Sequence, residues 1–182
     1  SIGTKDNPFK GTIEGQIDKS FSVSAPFIAY AEDATIKNVI VDIPSTGISS
    51  GSSTVTINET DKTALGAICS YATGNTRIYN CGINSGSVGT SADYVGGIVG
   101  LLDGYARVIN CYSYADITGG SYVGGIVGYN NYLSTADNLR TMVMNCMFYG
   151  NITSGNKAPI YNGSIISNVG EKGLGNYNYF LA

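Results

Sequence analysis

The residues able to do chemistry are few, and their types exclude most of it. The 182-residue chain contains no His. An HExxH metal site, a Ser–His–Asp arrangement and a Cys–His arrangement therefore cannot reside in this segment. Carboxylates remain. Paired acids hydrolyse glycosides, and Asp93, Asp103 and Asp116 are the acids placed near repeated strands and linkers. Nothing groups them along the chain, although stacking of repeats can bring distant acids together. Calcium prefers oxygen ligands such as Asp103 and Asp116, but the nonapeptide calcium pattern GGxGxD is absent. The sextet VGGIVG at residues 95–100 and again at 123–128 suggests a phosphate cradle. Such a loop needs a following helix N-terminus and usually Lys followed by Ser or Thr, and neither follows here. No catalytic residue, metal ligand or cofactor site is assigned.

The four cysteines admit two readings. Cys81, Cys111 and Cys146 occupy one repeat position, each directly after an Asn, and Cys69 lies elsewhere. Without CxxC or His they do not form a metal site. Equivalent Cα atoms of stacked strands sit about 4.8 Å apart, which permits a disulfide. An inward Cys also behaves as a small hydrophobe, and Val39 takes this position in another copy. A buried thiol ladder is the preferred reading.

These residues need a scaffold, and the repeats describe it. An Asn preceded two positions earlier by Ile or Val recurs at Asn38, Asn80, Asn110 and Asn145, with a degraded copy at Asn178. A block precedes each anchor: APFIAY, LGAICSY, VGGIVGL, VGGIVGY and, weakly, GSIISN. The fourth copy carries an insertion, YLSTADNLR, between block and anchor. The unit reads as strand, turn, second strand and a polar linker. Each unit is too short and one-sided to stand alone, so stacking must build the core. The residue two before Asn and the residue after it are both apolar, yet strict alternation cannot bury both. A corner at Asn reconciles them, because Asn tolerates the left-handed conformation and its amide can bond along the stack. Asn38, Asn80, Asn110 and Asn145 are therefore expected as structural corners, with Cys81, Cys111 and Cys146 facing inward. Gly97, Gly100, Gly125 and Gly128 are expected to mark one strand of each coil, where backbones approach closely.

The expected fold is all-β: a parallel β-helix-like solenoid of about five coils with N- and C-terminal caps. It forms a single domain over 1–182, with a cap region at 1–26, core repeats at 27–156, and a degenerate repeat and cap at 157–182. Composition agrees, with 25 Gly, 14 Tyr and only 23 charged residues. The net charge of −3 and the scattered Lys and Arg argue against a nucleic-acid surface. No apolar run is long enough to insert in a membrane. The opening has no charged leader before an apolar core, so the chain reads as a segment of a larger protein.

Tyrosine is the informative excess. Alternation around Cys111 places Tyr112 and Tyr114 outward, Tyr149 matches Tyr114, and Tyr79 precedes its Asn on the outer side. Outward tyrosines offer flat apolar area with a polar handle, suited to carbohydrate or protein contacts. Aromatic ladders also stabilise sheet surfaces by cross-strand packing alone.

The Gly–apolar–apolar–Gly cores Gly97–Gly100 and Gly125–Gly128, each followed by (I/V)xNC and by DIT or NIT, resemble the GLUG motif. The opening NPFKGTIEGQ resembles a segment that commonly precedes such repeats. The first copy departs by lacking the Gly pair, and the second reads LGAICS. The resemblance implies a bacterial surface or secreted protein, extracellular in location, and includes adhesins. It also covers some immunoglobulin-A-cleaving metallopeptidases, in which the repeats accompany the protease. The expected function is a non-catalytic stalk or adhesion surface with a host or cell-surface glycan or protein as partner. The alternatives are a carbohydrate-binding or carbohydrate-cleaving β-helix, and an accessory repeat of a larger secreted metallopeptidase.

Overall fold

The computed structural model describes residues 1–57, 59–131 and 141–154, together with short strands at 162–163, 174–176 and 179–180. Every described regular element is a strand. The chain winds through five sheets in a fixed order, and each sheet collects the equivalent strand of successive coils.

Sheet 1 runs β22 (Asn162–Gly163), β17 (Tyr122–Gly124), β12 (Tyr94–Gly96), β7 (Thr60–Gly66) and β6 (Ser53–Ile57). Sheet 2 holds β18 (Val127–Asn130), β13 (Val99–Leu102), β8 (Cys69–Thr73) and β3 (Ile28–Glu32). Sheet 3 holds β1 (Thr12–Glu14), β4 (Thr35–Lys37), β9 (Arg77–Tyr79), β14 (Arg107–Ile109), β19 (Met142–Met144) and β23 (Leu174–Asn176). Sheet 4 holds β2 (Ser20–Ser22), β5 (Ile40–Asp42), β10 (Gly82–Ile83), β15 (Tyr112–Ser113), β20 (Met147–Phe148) and β24 (Tyr179–Phe180). Sheet 5 holds β11 (Ser87–Gly89), β16 (Asp116–Gly119) and β21 (Ile152–Ser154). All the described strand pairings are parallel except β6 with β7, an antiparallel hairpin that extends sheet 1. This is a parallel β-helix-like solenoid.

The anchor repeat stacks in register. Ile36 pairs with Ile78, Ile78 with Val108, and Val108 with Val143, all fully buried. Asn38, Asn80, Asn110 and Asn145 follow with φ of 57°, 53°, 54° and 53°. That left-handed corner turns the chain from sheet 3 to sheet 4. It brings the next residue, Val39, Cys81, Cys111 or Cys146, back inside. The core is thus a column of β-branched and small side chains, each stabilising by roughly 1–3 kcal/mol through removal from water.

Two expectations need correction. The unit has five short strands rather than two, because corners at Asn, Gly and polar linkers break each turn into segments of two to seven residues. VGGIVG does not mark one strand. Tyr94–Gly96 belongs to sheet 1 and Val99–Leu102 to sheet 2, with a bend at Gly97 and Ile98 between them. The FKGTIEGQ stretch joins the stack in parallel: Phe9 bridges Ala31 and Thr12–Glu14 pairs with Thr35–Lys37. Residues 1–26, expected as a cap region, supply the outermost strands of sheets 3 and 4. The anchor Asn178, the insertion at 132–140, the block centre Ile166 and most of the expected C-terminal cap lie outside the described residues.

Candidate functional site

The functional candidates are side chains on the outside of the coil, so each follows from its place in a strand. In sheet 4, Cys111 and Ser113 point inward, and Tyr112 and Tyr114 alternate outward. Tyr149 follows β20 at the equivalent position. The rings of Tyr112 and Tyr114 lie 5.4 Å apart, and those of Tyr114 and Tyr149 lie 6.0 Å apart, edge to face. Tyr114 is 42% and Tyr149 51% exposed. Tyr112 is half-buried because its ring lies over Gly82, whose missing Cβ makes room for it. Its hydroxyl donates to Asn84 Oδ1 at 2.7 Å, and Asn84 Nδ2 donates to Asp42 Oδ1 at 3.0 Å. Ser20 donates to the same carboxylate. Burial is the first cause that raises the Tyr112 hydroxyl above its ordinary range. Tyr79 is not part of this strip. It stands in sheet 3, in register with Lys37 and Ile109.

The corner asparagines form a partial ladder on the outside. Asn80 Nδ2 donates to Asn38 Oδ1 at 3.4 Å, and Asn110 Nδ2 donates to Asn80 Oδ1 at 3.3 Å. At the end of the column Asn38 Nδ2 donates to Glu14 at 3.4 Å. The amides of Asn38, Asn80 and Asn110 are thus engaged along the stack.

All four cysteines are buried free thiols. Cys81, Cys111 and Cys146 donate to strand carbonyls of Tyr79, Ile109 and Met144 at 3.4, 3.3 and 3.4 Å. Burial holds the Cys111 thiol well above its ordinary range. Cys69, in sheet 2, is pushed up to about 12, chiefly by burial.

The acids are dispersed. Asp93 accepts from Thr63 N and Oγ1, Asp103 from Tyr71, Asn131 and the Gly104 amide, and Asp116 from the Asn151 amides. Each carboxylate is engaged in holding neighbouring coils together. Among the described residues no group of three or more His, Cys, Asp or Glu is placed to hold a metal ion. No helix of the described residues is long and apolar enough to cross a membrane.

The glycines produce a second surface. Val95 and Val99 face the main core, while Gly96, Gly100 and Gly128 face away from it. A Cβ on Gly96 would strike the Val99 carbonyl and come 2.6 Å from Gly128 N, and one on Gly100 would come 2.5 Å from Leu65 N. Sheets 1 and 2 therefore close on each other through backbone, outside the main core. Gly97 and Gly125 sit at the bend, where a Cβ on Gly97 would meet the Gly125 carbonyl and, at 2.7 Å, Ser113 Oγ. Beyond the glycines the seam fills with rings. Tyr94 stacks on Tyr129 at 4.8 Å, Tyr94 and Tyr122 lie 5.3 Å apart, and Tyr122 and Tyr129 lie 5.0 Å apart. Tyr30 and Tyr71 continue the line at 6.1 Å.

Sequence reasoning missed this aromatic seam. Its signal was the final letter of each block: Tyr30, Tyr71, Leu101 and Tyr129 stand in one register across sheet 2. Alternation alone did not show that a second sheet faces them.

No curated protein and no solved structure matches this chain. Residues 91–118 match the family model of the GLUG motif, and this span is one circuit from β12 in sheet 1 through β16 in sheet 5. The chain is therefore a stack of parallel coils that resembles GLUG-motif repeat proteins, with the motif itself equal to one turn of the solenoid.

Proposed function

We propose that this solenoid is a non-catalytic module of a bacterial surface or secreted protein, acting as a stiff stalk that presents an adhesive face. The observation that carries this reading is the exposed strip of Tyr114 and Tyr149 on a continuous six-stranded sheet. Parallel ladders fix the spacing of the rings. Their hydroxyls and edges stay available to a glycan or protein surface. The acids are engaged one by one in coil-to-coil bonds, which favours a structural use for them. The test is binding to a glycan array and to host-cell surfaces by the native chain and by a Tyr114→Ala, Tyr149→Ala double variant. Saturable binding that the double variant loses supports the adhesive face. Binding of equal strength in both proteins would sink it, and turnover of any bound glycan would sink the non-catalytic part.

A further inference from the structure

The seam between sheets 1 and 2 is filled by rings along most of its length, but it opens at one end. In sheet 1, Tyr122, Tyr94, Ala64 and Ser53 stand in register. Tyr122 and Tyr94 fill the seam against Tyr129. Ala64 and Ser53 bring no ring, so the sheet-2 rings of Tyr71 and Tyr30 face a cleft of about 260 Å³. The hairpin residues Thr54, Val55 and Thr56 form its other wall, Val55 packing towards the two rings, with Lys5 and Glu32 at its rim.

The two rings are held before any ligand arrives. Tyr30 donates its hydroxyl to the Thr54 carbonyl at 2.6 Å, and Tyr71 donates to Asp103 Oδ2 at 3.0 Å. The rings stand edge to face, with an interplanar angle of 90°. Fixed aromatic walls lower the ordering cost of binding. The charges at the rim are balanced. Glu32 pairs with Lys10 at 2.7 Å. Lys5 Nζ donates to Thr56 Oγ1 at 3.3 Å, and Thr56 donates to Asp61 at 2.8 Å. The lining holds one carboxylate, Glu32, and one ammonium, Lys5, each already partnered, so neither an anion nor a cation is favoured. A neutral polyol meets acceptors in Glu32 and donors in Lys5, whose ammonium has two protons left after Thr56. The volume lies just below the roughly 300–1,000 Å³ of drug-sized sites, which suits one ring rather than a chain.

We infer that this cleft binds a single neutral sugar unit, with an apolar face of the pyranose against Tyr30 and Tyr71 and its hydroxyls on Thr56, Glu32 and Lys5. The site is separate from the Tyr114–Tyr149 strip. The experiment is an NMR titration of the full chain, ring-labelled at tyrosine. The probes are methyl glucoside, methyl galactoside, methyl mannoside and N-acetylglucosamine, with glucuronate as the charged comparison. At least one neutral sugar is expected to shift the Tyr30 and Tyr71 rings saturably. Lys5 is exposed, so Lys5→Gln leaves the tyrosine signals outside the cleft unchanged, and it weakens that sugar about tenfold through loss of one charge-assisted hydrogen bond. Absence of a shift with every neutral sugar overturns the inference. So do shifts confined to Tyr112, Tyr114 and Tyr149, tighter binding of glucuronate, or unchanged affinity in Lys5→Gln.

Discussion

At the scale of single residues, the corner asparagines carry the clearest cost. Asn110 holds φ at 54° and also joins the amide ladder. An alanine there keeps the left-handed backbone only at about 1–2 kcal/mol. Asn110→Ala is therefore expected to lower unfolding free energy by that amount in urea titrations, while Asn110→Gly loses less than half as much. Ser70 offers the opposite sign. It occupies the position of Gly100 and Gly128 in sheet 2, and its buried hydroxyl has no hydrogen-bond partner. A buried hydroxyl without a partner costs about 1–3 kcal/mol. Ser70→Ala should raise the melting temperature, by about 2–4 °C for each kcal/mol recovered, measured by thermal unfolding.

At the scale of the strand, β8 couples the fold to pH. The Cys69 thiol is pushed up to about 12 by burial, against backbone hydrogen bonds at Tyr71 and Ala31 that lower it, from an ordinary 9.0. The folded chain thus holds this proton more tightly than the unfolded chain. The associated stability is whole below pH 9, and it is lost as pH rises from about 9 towards 12. At pH 10 the loss is roughly 1.4 kcal/mol. Burial raises Tyr71 and Tyr94 as well, which adds to the loss in the same direction. Urea unfolding at pH 8 and pH 10 should show this decline, and Cys69→Ala should make it shallower.

At the scale of the whole molecule, cohesion comes from parallel ladders and an apolar column rather than from charge. The ion pairs of the described residues, Lys10–Glu32, Lys37–Glu14 and Lys62–Asp93, all lie at the surface. Exposed pairs typically contribute a few tenths of a kcal/mol each and are screened by salt. Unfolding free energy is therefore expected to change by less than about 1 kcal/mol between low and high NaCl, read from urea midpoints at the two concentrations. A fall of several kcal/mol would show that charge carries a share of the stack.

What the sequence alone determined was the repeat and the local geometry it demands. Two apolar positions three apart around an Asn require a corner, and Asn38, Asn80, Asn110 and Asn145 supply it by their own backbone tolerance. Inward Cys111 beside outward Tyr112 follows from alternation in a single strand. These are properties of neighbours along the chain, so they are legible there. The cuts between strands were less legible, because Gly97 and Ile98 bend only against the coils stacked above and below them. The glycine seam was decided by tertiary structure. Nothing along the chain says that Gly96 lies against Gly128, or that Ala64 leaves open a place that Tyr94 and Tyr122 fill. Those facts depend on two sheets facing each other across coils, where the space left by one side chain is set by residues about thirty positions away.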